Sequence, residues 1–182
     1  MSVAEYFDNL AKHGRTPHAV DAPSQKALDV RWEVLGKPIT PMSSVLDVGC
    51  GYGGFGDWLG VNGAGCKYTG IDISPKLVTL AREAGHDATL GDVLYMNGQW
   101  DYVIAQGLFY KQRCAGDCLD ILQKMWTLTR KALGVTTIIN GQKDELTITA
   151  WTLLSWVRDM GCEKWTIRHD YHPNDVCLYL YK

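Results

Sequence analysis

Apolar positions repeat with a helical period at the start of the chain. Val3, Tyr6, Phe7 and Leu10 fall at i, i+3, i+4 and i+7 behind Ser2, a residue suited to capping a helix N-terminus. A second stripe, Ala27, Val30, Val34 and Leu35, follows Ser24. Between them His13-Gly14-Arg15-Thr16-Pro17 reads as a loop, and Pro38 and Pro41 close the section. The rhythm then changes to short apolar runs alternating with amphipathic stretches. Strands are predicted at residues 45–48, 66–73, 88–90, 100–105 and 135–140, and helices at 55–61, 75–83, 116–131 and 149–160. Two β-rich runs, 163–168 and 176–181, finish the chain. Alternating strands and helices imply crossover connections and a mainly parallel sheet covered on both faces. Only seven residues join the last two runs, too few for a crossover, so these form an antiparallel hairpin.

Composition narrows the class. A length of 182 residues with 46% hydrophobic and 21% charged side chains fits one globular domain and excludes a disordered chain. The net charge is −2, with both signs dispersed, so nucleic acid is not the expected partner. Residues 1–12 are polar and carry Glu5 and Asp8, unlike a secretory leader, and nowhere do 18 apolar residues run together. The six cysteines are spread through a chain that needs no staples at this length. The expectation is a cytoplasmic protein with no membrane partner. Cys114 and Cys118 fall on one helix face, but no second pair accompanies them, so no metal site is expected.

Candidate chemistry concentrates after the first predicted strand, where Gly49, Gly51, Gly53 and Gly54 open a helix. Such a turn lets backbone approach a ligand at the helix N-terminus. Gly49, Gly51 and Gly54 satisfy the dinucleotide pattern G-x-G-x-x-G, and Asp72 follows at the distance of a ribose-binding acid, which supports a nicotinamide-dependent dehydrogenase. Asp47, two residues before the first glycine, argues against it. A carboxylate there repels a pyrophosphate and suits a ligand carrying an ammonium and a sulfonium. Asp47, Asp72 and Asp92 end three consecutive strands.

Val45-Leu46-Asp47-Val48-Gly49-Cys50-Gly51-Tyr52-Gly53 resembles the first motif of class I S-adenosylmethionine-dependent methyltransferases, and Tyr68-Thr69-Gly70-Ile71-Asp72-Ile73-Ser74 resembles their second. Gly91-Asp92-Val93 is similar to the third, and the strand ending in Gln106-Gly107-Leu108 to the fourth. The resemblance implies a doubly wound α/β fold with seven strands in the order 3-2-1-4-5-7-6 and the last strand antiparallel. It places the core at residues 44–182, with residues 1–43 as an N-terminal helical lid. It further implies that Asp47 and Gly49 lie near the methionine moiety of S-adenosylmethionine, that Gly51 and Gly53 line the turn, and that Asp72 holds the ribose. Ile73 and Val93 are expected to sandwich the adenine, with Asp92 reading its amino edge and Gln106 lining the methyl-donor pocket. The His13–Pro17 loop is similar to one in small bacterial and phage members. Arg15 in it is a candidate clamp for the cofactor carboxylate, weighed against an ordinary exposed arginine.

Ligands in open α/β sheets bind beyond the carboxyl ends of the strands, which limits the candidate acceptor residues to a few loops. Tyr110, Lys111 and Arg113, then Asn140 and Gln142, then His169, Asp170, Tyr171 and His172 qualify. His169 and His172 are candidate general bases, with Asp170 or Asp175 orienting an imidazole, and Tyr110 is a third catalytic candidate. Each is weighed against a solvated loop. Trp126, Trp151 and Trp156 are expected to fill the core or cover helix faces. The turn after the fourth strand lacks the Pro-Pro-aromatic motif of enzymes that methylate amino groups on nucleic-acid bases, and no Pro-Cys nucleophile follows it. The expected reaction is therefore in-line methyl transfer to oxygen or nitrogen of a small-molecule acceptor. A non-catalytic S-adenosylmethionine-binding module and an aminopropyl transferase are the other readings of the same fold.

Overall fold

The computed structural model describes residues 1–109, 115–139 and 146–182. Its strands are β1 (Ser44–Val48), β2 (Lys67–Asp72), β3 (Ala88–Leu90), β4 (Trp100–Gln106), β5 (Thr129–Ile138), β6 (Lys164–Arg168) and β7 (Asp175–Tyr181). They pair in the order β3-β2-β1-β4-β5-β7-β6. Pairing is parallel throughout the first five strands in that order, and β7 runs antiparallel to both β5 and β6. The doubly wound seven-stranded sheet expected from the motifs is therefore present, last strand reversed.

Local chemistry starts and stops the helices. In α1 (Val3–Leu10) the Ser2 side chain accepts from Glu5 N while the Glu5 carboxylate accepts from Ser2 N, a reciprocal cap that satisfies two free donors. Ser24 caps α2 (Gln25–Gly36), Ser74 caps α4 (Pro75–Glu83) and Thr149 caps α6 (Ala150–Asp159) by one bond each, their hydroxyls accepting from Ala27 N, Leu77 N and Thr152 N. α3 (Gly54–Asn62) starts instead from Gly53 in the left-handed region, with no side-chain cap. That leaves the N–H groups of its first turn pointing outward.

α5 spans Ala115–Thr127, shorter than the predicted 116–131, and β5 begins at Thr129 rather than at residue 135. The helix stops because sheet pairing captures the following residues. Trp100 N donates to Leu128 O, Thr129 pairs with Trp100, and the Thr129 hydroxyl closes back on Met125 O. Long-range ladder bonds here override a helical period that Leu122, Met125 and Trp126 sustain up to that point.

One face of the sheet carries α5 and α6, whose Leu122, Met125, Leu153 and Trp156 are buried with Val103, Leu133 and Leu178. The other carries α2 and α3, whose Leu28, Trp32, Leu35, Phe55 and Leu59 pack on Val45, Tyr102 and Ile104. Within residues 1–43, then, α2 is a core helix. α1 packs on α4, where the Ser74 hydroxyl donates to Asp8 Oδ1 at 2.5 Å. The tryptophan expectation divides. Trp156 is buried and Trp126 is half-buried under Lys182, whose ammonium lies 3.7 Å from the ring centroid, but Trp151 is 81% exposed. This corrects the expectation for that residue, which stands in the first turn of α6 on the helix's solvent side. No helix among the described residues is long and apolar enough to cross a membrane.

Candidate functional site

The turn after β1 is folded by backbone bonds to its neighbour. Gly49 N and Cys50 N both donate to Ile71 O, at 2.8 and 3.1 Å, which draws the turn over the end of β2. Gly49, Gly51 and Gly53 have φ of +73°, +56° and +82°, a region that side-chain-bearing residues avoid. At Gly53 a Cβ would also meet His86 Cδ2 at 2.4 Å. Asp72 ties the turn to β2: its Oδ2 accepts from Gly51 N and its Oδ1 from Ser74 N, both at 2.8 Å. Each carboxylate oxygen keeps a lone pair for a further donor.

Two cavities open on either side of this turn, at the carboxyl ends of the strands. The smaller, about 160 Å³, is lined by Gly51, Ile71, Asp72, Ile73, Asp92 and Val93, with Val3 and Phe7 of α1 across it. The larger, about 470 Å³, is lined by Asp47, Tyr52, Phe55, Arg31, Trp32, Thr136, Thr137, His172 and Asp175, among others. Val20, Gly49, Gln106 and Gly107 line both. Gln106 thus stands at the junction, and its Oε1 is buried with no hydrogen-bond partner among the described residues.

The electrostatics of the rim are unusual. Asp47 is 3% exposed and accepts from the Tyr68 hydroxyl at 2.9 Å, with no cationic partner among the described residues. Burial pushes its carboxyl up to about 7, against the Tyr68 hydrogen bond, with the nearby Asp72 charge adding to the rise. Burial also raises Asp72, opposed by its backbone N–H partners. The Cys50 thiol beside them is driven far up by burial and then by both carboxylates, so it is neutral and inert. Two buried acids without a base are costly alone. A cation placed between them offsets that cost.

The remaining sequence candidates fall unevenly. Asp92 is exposed; its Oδ1 accepts from Leu94 N at 2.9 Å, so its backbone is held at the mouth of the smaller cavity. Arg15 lines neither cavity: its guanidinium pairs with Asp57 of α3 and its Nε donates to Tyr52 O at 3.3 Å. Asp57 also takes His86 Nε2 at 2.9 Å, so Arg15 fastens the N-terminal loop to the outer surface of α3. His172 lines the larger cavity, with Nδ1 3.6 Å from Asp175 Oδ2. His169 does not; its Nδ1 donates to Asp175 O at 2.7 Å, and it serves to shape the β6–β7 connection. Asp170 pairs outward with Arg168. Tyr110, Lys111, Arg113, Cys114, Asn140 and Gln142 lie outside the described residues.

Three wall residues escaped the sequence reading. Arg31 looked like the polar face of a helix, and Thr136 and Thr137 looked like β-branched strand formers. No local signal marks them, because their place in the cavity depends on β5 pairing with β4 and β7.

Residues 45–134 match the family model described as a methyltransferase domain. Over 69 residues the chain is 38% identical to a methyltransferase of Mycobacterium tuberculosis, 36% of this chain and 42% of that protein. It is 33% identical over 109 residues to ribosomal RNA small subunit methyltransferase C of Chromohalobacter salexigens, 56% of this chain and 30% of that one. The matches span less than half the length of these curated relatives. Magnesium protoporphyrin IX methyltransferase from Synechocystis, solved with S-adenosylhomocysteine, shares the fold at a TM-score of 0.67 and 16% identity, over 86% of this chain and 81% of that one. Sheet order, glycine turn, strand-end acids and the matched region agree: residues 45–134 are a methyltransferase domain, carried on the Rossmann-like fold of class I S-adenosylmethionine-dependent methyltransferases.

Proposed function

We propose that the protein moves a methyl group from S-adenosylmethionine to an oxygen or nitrogen atom of a small-molecule acceptor. The observation that carries this reading is Asp47, a buried carboxylate with no cation beside it among the described residues, on the wall of the larger cavity beside the glycine turn. The residues fit the cofactor. Asp72 offers two carboxylate oxygens to ribose hydroxyls, Ile73 and Val93 offer apolar faces to an adenine, and Asp92 closes that cavity's mouth. Asp47 offers its charge to an ammonium, and the positive-φ glycines leave room for backbone approach. Gln106, with its orphaned Oε1, sits between the two cavities where the reacting centre falls.

When bound, S-adenosylmethionine supplies an already activated methyl group. The chain's own task is to align an acceptor atom in line and exclude water. Gly49, Gln106 and Gly107 form the passage between the cavities, and the open volume beyond them supports a catalyst rather than a binding module. His172 is the candidate base for a hydroxyl acceptor. α1 and the turns up to Val20 form a lid over the smaller cavity, with Val3, Phe7 and Val20 on its inner side.

Titration calorimetry with S-adenosylhomocysteine and with NAD tests the cofactor, and incubation of a metabolite extract with a methyl-labelled donor tests the transfer. The expected results are binding of the first ligand alone and a labelled small molecule. Binding of NAD in its place, or label found only in nucleic acid, overturns the reading.

A further inference from the structure

The larger cavity continues past Gln106 to the carboxyl end of β5, and there the protein leaves polar groups unused. Thr136 and Thr137 are each 2% exposed and line the cavity, and neither hydroxyl has a hydrogen-bond partner among the described residues; strand alternation puts the Thr136 side chain on the face of Trp32 and Phe55 and that of Thr137 on the other. Thr136 is the register partner of Gln106, so its orphaned hydroxyl and the orphaned Gln106 Oε1 come from adjacent strands. Burying hydroxyls and an amide oxygen without partners costs free energy, and a fold bears that cost where a ligand later supplies the bonds.

Charge selects among ligands. The described wall carries Asp47, Asp175 and Asp21 against a single guanidinium, Arg31. Arg31 already gives Nε and Nη2 to the two oxygens of Asp175, so it has little charge left for an anion. The opposite wall is apolar, with Leu28 and Trp32 from α2 and Phe55 from α3. Resting on the methyltransferase reading above, we propose that Gln106 and Thr136 form the head-group site for an amphipathic acceptor. Its head is a neutral hydroxyl or an amine, not a carboxylate or phosphate, and its apolar body lies against Trp32 and Phe55. Gln106 Oε1 accepts from the head's O–H or N–H, and the Thr136 hydroxyl completes its hydrogen bonds. The selection is by unmet bonds and by sign of charge, which discriminates more strongly than an apolar pocket does.

The test uses three probes that share one skeleton and differ in the head: 2-phenylethylamine, 2-phenylethanol and phenylacetate. Each is titrated into full-length protein saturated with S-adenosylhomocysteine. The amine or the alcohol is expected to bind at least about tenfold more tightly than phenylacetate, since one lost buried hydrogen bond is of that order. The variants Thr136→Val and Thr137→Val keep volume and β-propensity. Thr136→Val is expected to lose that preference and Thr137→Val, altered on the other face of the sheet, to keep it, while the affinity of both for S-adenosylhomocysteine stays the same. Their melting temperatures are expected to hold or rise, by about 2–4 °C, as an orphaned hydroxyl is removed. Tightest binding by phenylacetate, no binding by any probe, or an unchanged preference in Thr136→Val overturns the subsite and leaves the cofactor reading intact. Failure of S-adenosylhomocysteine itself to bind overturns the cofactor reading instead.

Discussion

Arg31 in α2 holds Asp175, the first residue of β7, through Nε and Nη2 on separate carboxylate oxygens, the second at 3.0 Å, across 144 positions of sequence. Asp175 is buried and Arg31 nearly so. The pair joins the N-terminal segment to the far end of the sheet and walls the larger cavity.

Removing one partner of such a pair strands the other charge. Arg31→Met is expected to cost about 3 kcal/mol or more, whereas Arg31→Met combined with Asp175→Asn costs less than the two single changes summed. Urea unfolding of the four proteins reads this directly. Simple additivity would show that the two side chains act independently.

Asp47 sets a pH dependence of definite sign. Its carboxyl titrates near 7 when folded, against the ordinary 3.8, because burial disfavours the ion. Below about 4 it is protonated in both folded and unfolded chains and costs nothing. Stability is then lost as pH rises toward 7, because the folded protein holds the proton longer than the unfolded chain does. Asp47→Asn is expected to remove this slope and to gain at most about 4 kcal/mol at pH 8, the value of a shift of this size before relaxation. Equal pH profiles for wild type and variant would refute the assignment.

The same group couples binding to protons. An ammonium beside Asp47 favours its ionised form, so S-adenosylhomocysteine should bind more tightly as pH rises from 6 to 7.5 and release a proton on binding near pH 7. Calorimetry in two buffers of different ionisation enthalpy measures that proton. Its absence in wild type, or its persistence in Asp47→Asn, contradicts the electrostatic role.

The two histidines separate cleanly. His172 faces the larger cavity, so His172→Ala is expected to reduce turnover of a hydroxyl acceptor by 10²-fold or more, the low end of general-base contributions. His169→Ala loses a bond to Asp175 O outside the cavity and is expected to lower stability by about 1 kcal/mol, with turnover changed far less. Equal turnover losses would show that both rings act on the acceptor.

At Gly53 two penalties combine, positive φ and the approach of His86 Cδ2 to 2.4 Å. Gly53→Ala is expected to destabilise by roughly 2 kcal/mol and to weaken cofactor binding. Adding His86→Ala relieves the contact but not the backbone strain, so recovery is partial. Arg15→Ala offers a contrast. Its pair with Asp57 is solvent-exposed, so the expected loss is below about 1 kcal/mol, with affinity for S-adenosylhomocysteine unchanged. A large loss of affinity would restore Arg15 as the carboxylate clamp.

Much of this protein is written locally. Caps at Ser2 and Ser24, the period of apolar residues and the run from Val45 to Gly53 are read from neighbours a few positions apart, because helix starts, strand alternation and glycine turns depend on short-range sterics and hydrogen bonds. Asp47, Asp72 and the glycines were legible for that reason. The end of α5 at Thr127, the separation of His172 from His169, and the wall formed by Arg31, Thr136 and Thr137 were not. Each of these depends on which strands lie side by side, a matter of ladder bonds and buried area gathered from segments far apart in the chain. Only the folded sheet brings Arg31 to Asp175 and Thr136 to Gln106, and with them the shape and charge of the cavity.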